Sequence, residues 1–146
     1  MENVQKLAQS ILERAHLMSL ATTDENGPWV SDVIFVFDKD WNIYWLSQTN
    51  TRHSLAIAND ARVAATITIT GKSKEPNEGL QISGVAEKLS GAQIELAALH
   101  WTKRGHPPPE KEDDVLDEGE AWYTLRPQMI ELIHEPLFGF KKQKIL

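Results

Sequence analysis

The sequence predicts a mainly β domain, a small antiparallel barrel with two or three helices packed on it. At least six short runs are enriched in β-branched and aromatic residues, as strands are. The first three of these runs are separated only by short turns, which is the pattern of an antiparallel meander. The longer stretches between later runs carry helical periodicity instead. A length of 146 residues suits a single domain over 1–146, with a core large enough to fold without disulfides.

Residues 2–15 predict an amphipathic helix. Val4, Leu7, Ile11 and Leu12 repeat at helical spacing while Glu2, Lys6, Gln9 and Glu13 face away. Leu17–Thr22 reads as a strand, and Asp24-Glu25-Asn26-Gly27 as a turn, because Asn-Gly tolerates positive φ. Trp29–Phe37 is the next strand. Val33, Phe35 and Phe37 alternate there with Ile34 and Val36, so both faces are apolar and a central place in the sheet is expected. Asp38-Lys39-Asp40 then turns the chain into a strand over 42–47.

Residues 43–67 are the stretch around which the chain is organised. A strand, Ile43-Tyr44-Trp45-Leu46, runs into five small or polar residues, Ser47–Thr51, and then a helix. Thr51 is the expected N-cap, Leu55 and Ala58 lie three apart on one face, and Asn59-Asp60 stops the helix before a strand from Val63 to Ile69. Such a helix start gathers backbone N–H groups and the cation Arg52 at one point, which suits an anion, phosphate above all. The same residues also suit a capped surface helix with a solvated arginine.

Gly71–Gly79, rich in Gly, Lys, Pro and Asn, predicts a hairpin loop. Leu80–Leu89 resumes as a strand, with Gly84 in its interior marking a bulge or a close backbone approach. Ala92–Lys103 reads as a helix with Ile94, Leu96, Ala97 and Leu99 as its apolar residues, ended by Gly105 and Pro107-Pro108-Pro109. Residues 110–120 carry seven acids against Lys111, as a solvated loop or short acidic helix does. Trp122–Leu125 and Met129–His134 are two strands or one strand bent at Pro127, and Leu137–Leu146 is a strand-like tail with a basic centre.

A net charge of −6 argues against broad electrostatic binding to nucleic acid. Without cysteine there is no disulfide framework, thiolate metal site or cysteine nucleophile. No apolar run reaches the roughly 18 residues of a membrane span, and a signal-peptide core is lacking, so a soluble cytoplasmic protein is expected. The phosphate-binding G-x-x-x-x-G-K-[ST] loop, the dinucleotide G-x-G-x-x-G and the G-x-S-x-G elbow are all absent. His100 and His106, six apart around Lys103-Arg104, have a poor metal spacing and read as surface residues, so no metal is expected. His16 and His134 have no evident partners and read as structural or surface residues. Five tryptophans exceed what the core requires, and the surplus suits a planar ligand or a subunit contact.

Taken in order, these elements resemble the pyridoxamine 5′-phosphate oxidase-like FMN-binding split barrels, and within them a small branch of roughly 150 residues. Leu17–Thr23 with Asp24–Pro28 matches the family's opening "LAT…dG.P", and Ser31–Phe37 its second strand. Thr51-Arg52-His53 stands at the Ser/Thr-Arg-Lys phosphate motif, and Asn59–Val63 at the "NPRV" segment. Leu80–Glu87 matches the "…Q…G.A" strand, and Leu125-Arg126-Pro127 with Phe138–Lys142 closes the series.

The resemblance implies a six-stranded antiparallel split β-barrel with flanking helices that forms a homodimer, with FMN sites at the subunit interface. Arg52 would hold the FMN phosphate with Thr51 and His53 beside it. Leu46 and Ser47 would meet the ribityl chain or ring edge, and Ser31–Ile34, with Ser31 and Val33 in particular, would run beneath the ring. Gln81 and Lys141 or Lys142 would reach a flavin, including one held mainly by the partner subunit. His53 replaces the motif's lysine, a weaker and pH-dependent cation. The C-terminal arginine and histidine that bind pyridoxamine phosphate have no match in 138–146, so the namesake reaction is not implied. A flavin-dependent oxidoreductase with a small-molecule electron donor or acceptor is the leading expectation, with no catalytic residue assigned. The alternatives are an FMN carrier or sensor, or a relative binding haem, through His53 or His134, or a deazaflavin.

Overall fold

The computed structural model describes residues 3–146. Met1 and Glu2, and with them the expected outward placing of Glu2, lie outside the described residues. Helix α1 (Val4–Arg14) starts at Asn3, whose side chain accepts from the Gln5 N–H at 2.9 Å. It buries Ala8, Ile11 and Leu12, with Val4 and Leu7 packed partly on the core, the face its periodicity predicts.

The long strands are β1 (Leu17–Asp24), β2 (Gly27–Ile34), β4 (Ile43–Gln48), β5 (Arg62–Thr68), β6 (Glu78–Lys88) and β7 (Glu120–His134). Two-residue pieces, β3 (Val36–Phe37) and β8 (Gln143–Lys144), complete the sheet. All pairings are antiparallel, in the order β2-β1-β5-β6-β7-β4-β3, with β8 beside β7. The six long strands expected of the split barrel are therefore present.

The run 27–37 is not central. After Ile34 the chain breaks at the fully buried Phe35. β2 then pairs with β1 at one end of the order, and β3 pairs with β4 at the other. One continuous backbone thus joins both ends and curls the sheet into a half-barrel. Its two-sided apolarity comes from that seam position rather than from burial between two neighbours.

Alternate residues of the strands fill the core. Met18, Leu20, Ile43, Trp45, Ile67, Leu80, Leu125 and Ile130 are almost wholly buried, and Trp45 stacks on Tyr123 with ring centroids 5.9 Å apart. Residues 120–134 form one strand, accommodated at Pro127 by a register slip between Ser83 and Gly84. A Cβ on Gly84 would collide with the Arg126 carbonyl, which is why the interior glycine is there.

Helix α2 (Arg52–Asn59) buries His53, Ser54, Ala56 and Ile57 and leaves Leu55 and Ala58 outward, so its expected apolar face is corrected. Spacing within an eight-residue helix could not decide the face, because two small residues and a histidine pack inward beside Ile57. Helix α3 (Ile94–Lys103) forms a second, smaller core through Ala97 against Trp122 and Val115. The acidic block holds only a 3₁₀ turn at Glu112–Asp114. The tail is corrected too: it folds into a one-turn helix, α4 (Glu135–Phe138), before β8.

Candidate functional site

The polar loop between β4 and α2 is fastened at its helix end. The Thr51 side chain accepts from the Ser54 N–H at 3.2 Å, and the Ser54 hydroxyl donates to the Gln48 carbonyl at 2.8 Å. This lock fixes the rotation of α2 and sends the neighbouring side chains of Arg52 and His53 in different directions.

His53 turns inward, its Nε2 2.9 Å from the Ser47 hydroxyl. Burial pushes its pKa down, so the imidazole is uncharged at neutral pH. Arg52 points the other way. Its Nε and Nη2 donate to the two Asp24 carboxylate oxygens at 2.7 and 3.1 Å, and its guanidinium lies 4.4 Å over the Trp29 ring. That pairing holds the Asp24 carboxyl below its ordinary value. Arg52 borders an open hollow of about 820 Å³ shared with Asp24, Glu25 and Asn50.

His53 and Ser47 face a separate cleft of about 530 Å³ where β2, β4, α2, α3 and the start of β7 meet. Leu17, Val33, Ile34 and Leu46 form its apolar wall, and Asp32, Glu120 and Arg104 its charged rim. His100 of α3 completes it. Only 5% exposed, its ring lies edge-on to Trp122 at 5.7 Å, and its Nδ1 has no hydrogen-bond partner. Burial, aided by Arg104 and Lys103, pushes its pKa down to about 4.

Of the positions expected at a cofactor, Val33, Leu46, Ser47 and His53 therefore converge on one cleft, with Thr51 locking the helix behind them. Ser31, opposite Leu20 on β2, does not line it, and Arg52 borders the neighbouring hollow. Gln81 lies elsewhere, in a shallow groove of about 260 Å³ on the outer sheet face with Ala21, Val30 and Ala64. Gln81 pairs with Glu131, and Glu131 with Lys144, which puts the exposed Lys141 and Lys142 toward that same end of the sheet.

Sequence reasoning missed His100, Arg104 and Glu120, while Asp32 lies within the run 31–34 expected beneath the ring. His100 is not the surface residue expected. Ala97, His100 and Arg104 follow at i, i+3 and i+7, a spacing that puts both polar residues on the buried alanine's face. His134 does have partners: Nδ1 accepts from the Leu137 N–H at 3.3 Å and Nε2 lies 3.2 Å from the Glu78 carboxylate. Among the described residues, no three histidines or acids are grouped to hold a metal ion.

The pyridoxamine 5′-phosphate oxidase family model matches residues 4–130. The chain belongs to that family. A UPF0306 protein of Pasteurella multocida is 30% identical over 119 residues, which is 80% of this chain and 75% of its own. The fold is shared with a putative pyridoxamine 5′-phosphate oxidase of Listeria innocua (TM-score 0.70, 15% identity, 90% of this chain and 98% of that one). It is shared too with a heme-binding protein of Mycobacterium smegmatis (TM-score 0.75, 18% identity, 99% of this chain and 58% of that one).

Proposed function

We propose that this chain binds FMN in the cleft between β2, β4, α2 and α3, and acts as a flavin-dependent oxidoreductase in the cytoplasm. The observation that carries this reading is the convergence of Val33, Leu46, Ser47 and His53 on that cleft. The donor set fits a flavin. Leu17, Val33, Ile34 and Leu46 give a flat ring an apolar wall, while Ser47 and uncharged His53 offer hydrogen bonds to its polar edge. The unpartnered Nδ1 of the buried His100 beside them is the kind of atom that a ligand or water satisfies.

For the phosphate, the start of α2 supplies backbone N–H groups. Arg52 keeps its Nη1 hydrogens free of Asp24, which takes only Nε and Nη2. When bound, FMN supplies hydride acceptance and onward electron transfer, while the protein binds, orients and shields it. The same reading includes a homodimer, supported by Gln81, Lys141 and Lys142 lying away from the cleft, where they are suited to a partner's cofactor. The outer face carrying Ala21, Val30 and Ala64 gives that partner an apolar surface.

A second reading, haem, is favoured by one observation: His53 and His100, both buried, share the cleft. His134 does not serve it, because both its nitrogens already have partners. The absorbance spectrum of the purified, cofactor-loaded protein decides between them. Flavin bands, with FMN released on denaturation and turnover of reduced nicotinamides, support the oxidoreductase. Flavin bands without turnover leave a carrier, and a Soret band replaces FMN with haem.

A further inference from the structure

On the other side of α3 from the cleft lies a second, unrelated cavity. It measures about 470 Å³, within the range of small-molecule pockets, and opens between α1, β3 and α3. Phe35, Val36 and Leu12 floor it, all nearly or wholly buried, and half-exposed Leu99 stands at its edge.

Among the described residues, the one cation lining this apolar groove is Lys103. Its ammonium donates to the Phe35 carbonyl and sits 3.6 Å from the centre of the Phe35 ring. It is half-buried, and among the described residues no carboxylate lies within salt-bridge reach of it. The five ion pairs among the described residues all belong to other side chains, and Glu13, which lines the same groove, does not pair with it. An ammonium drawn out of water without a counter-charge is costly, and burial accordingly pushes its pKa down to about 8. One carbonyl and one ring face use only part of its capacity, since an ammonium has three N–H donors. An anion delivered with an apolar body would satisfy the remaining donors and cover the floor together.

We propose that the groove between α1, β3 and α3 binds a small amphipathic monocarboxylate, its apolar body on Phe35, Val36 and Leu99 and its carboxylate on Lys103. A neutral or cationic amphiphile of the same size would gain the apolar contact but not the ion pair.

The test uses the full chain, loaded with whatever cofactor it carries, and three probes of equal chain length: decanoate, decanol and decyltrimethylammonium. Amide NMR shifts on titration report both site and affinity. Decanoate is expected to shift residues 35–37 and 98–103 and to bind at least tenfold more tightly than decyltrimethylammonium, with decanol between them. Lys103→Met should weaken decanoate about tenfold and leave decanol unchanged. Equal affinity for the anionic and cationic probes, or decanoate shifts confined to another part of the chain, overturns the proposal. So does an undiminished affinity in a folded Lys103→Met. If that variant does not fold, the three-probe comparison on the wild-type chain decides alone. If the groove is instead covered by a second copy of the chain, its amides stay unshifted at saturating decanoate, which also overturns the proposal.

Discussion

Acid should unfold this protein largely through His100. The ring is buried beside Trp122, and burial with two neighbouring cations holds its pKa near 4, against about 6.5 in an unfolded chain. Above pH 6.5 the histidine is neutral in both states and has no effect on the balance. As pH falls from 6.5 to 4 the unfolded chain takes up a proton that the folded chain refuses, so stability is lost across that window and levels off below it. A gap of roughly 2.5 pK units at about 1.4 kcal/mol each amounts to about 3 kcal/mol, a large share of the typical 5–15 kcal/mol of a domain. His53 is shifted in the same direction by burial and adds to the loss. The Asp24 and Asp38 carboxyls are shifted below the ordinary value and lose their contribution only at lower pH. The assay is urea unfolding followed by tryptophan fluorescence at half-unit steps from pH 7.5 to 4. His100→Phe keeps a ring edge-on to Trp122 and cannot protonate, so its stability should fall by about 3 kcal/mol less than the wild type's over the same range. Parallel pH curves for the two proteins would refute the reasoning.

Gly84→Ala places a methyl against the Arg126 carbonyl and should cost about 1–3 kcal/mol in urea unfolding, while Gly91→Ala, strained at φ +82° but with nothing within 4 Å, should lack the collision cost. Asp24→Asn releases Arg52 from its carboxylate, so FMN should bind more tightly in that variant, and Arg52→Ala should bind it about tenfold more weakly, both read by flavin fluorescence. Sedimentation at micromolar concentration should give twice the 16.5 kDa chain mass, and Val30→Asp on the outer sheet face should return the monomer.

Local signals made most of the elements legible. The Asn-Gly turn, the Thr51 cap, the Asn59-Asp60 stop and the interior Gly84 each act through backbone preferences that a sequence displays directly. What escaped depended on tertiary placement. The seam role of 27–37 requires knowing that β2 and β3 pair at opposite ends of the sheet, and an apolar pattern on both faces cannot distinguish a seam from a central strand. The inward turn of His53 and the outward turn of Arg52 were hidden for the same reason, since Ser47 and Asp24, which capture them, lie 6 and 28 residues away. His100 reads as a surface residue from its polarity and metal-poor spacing, and only its shared face with Ala97 points inward. The cleft was half legible: its β2, β4 and α2 walls came through the resemblance, and its α3 wall only through the structure.

The most direct test is a titration of cofactor-free protein with FMN, read by quenching of flavin fluorescence, for the wild type and for Leu46→Trp, which enlarges a side chain of the cleft's apolar wall. The wild type is expected to bind one FMN per chain saturably, and the folded variant at least a hundredfold more weakly. Equal affinity in the two proteins, or no saturable binding of FMN by the wild type, would contradict it.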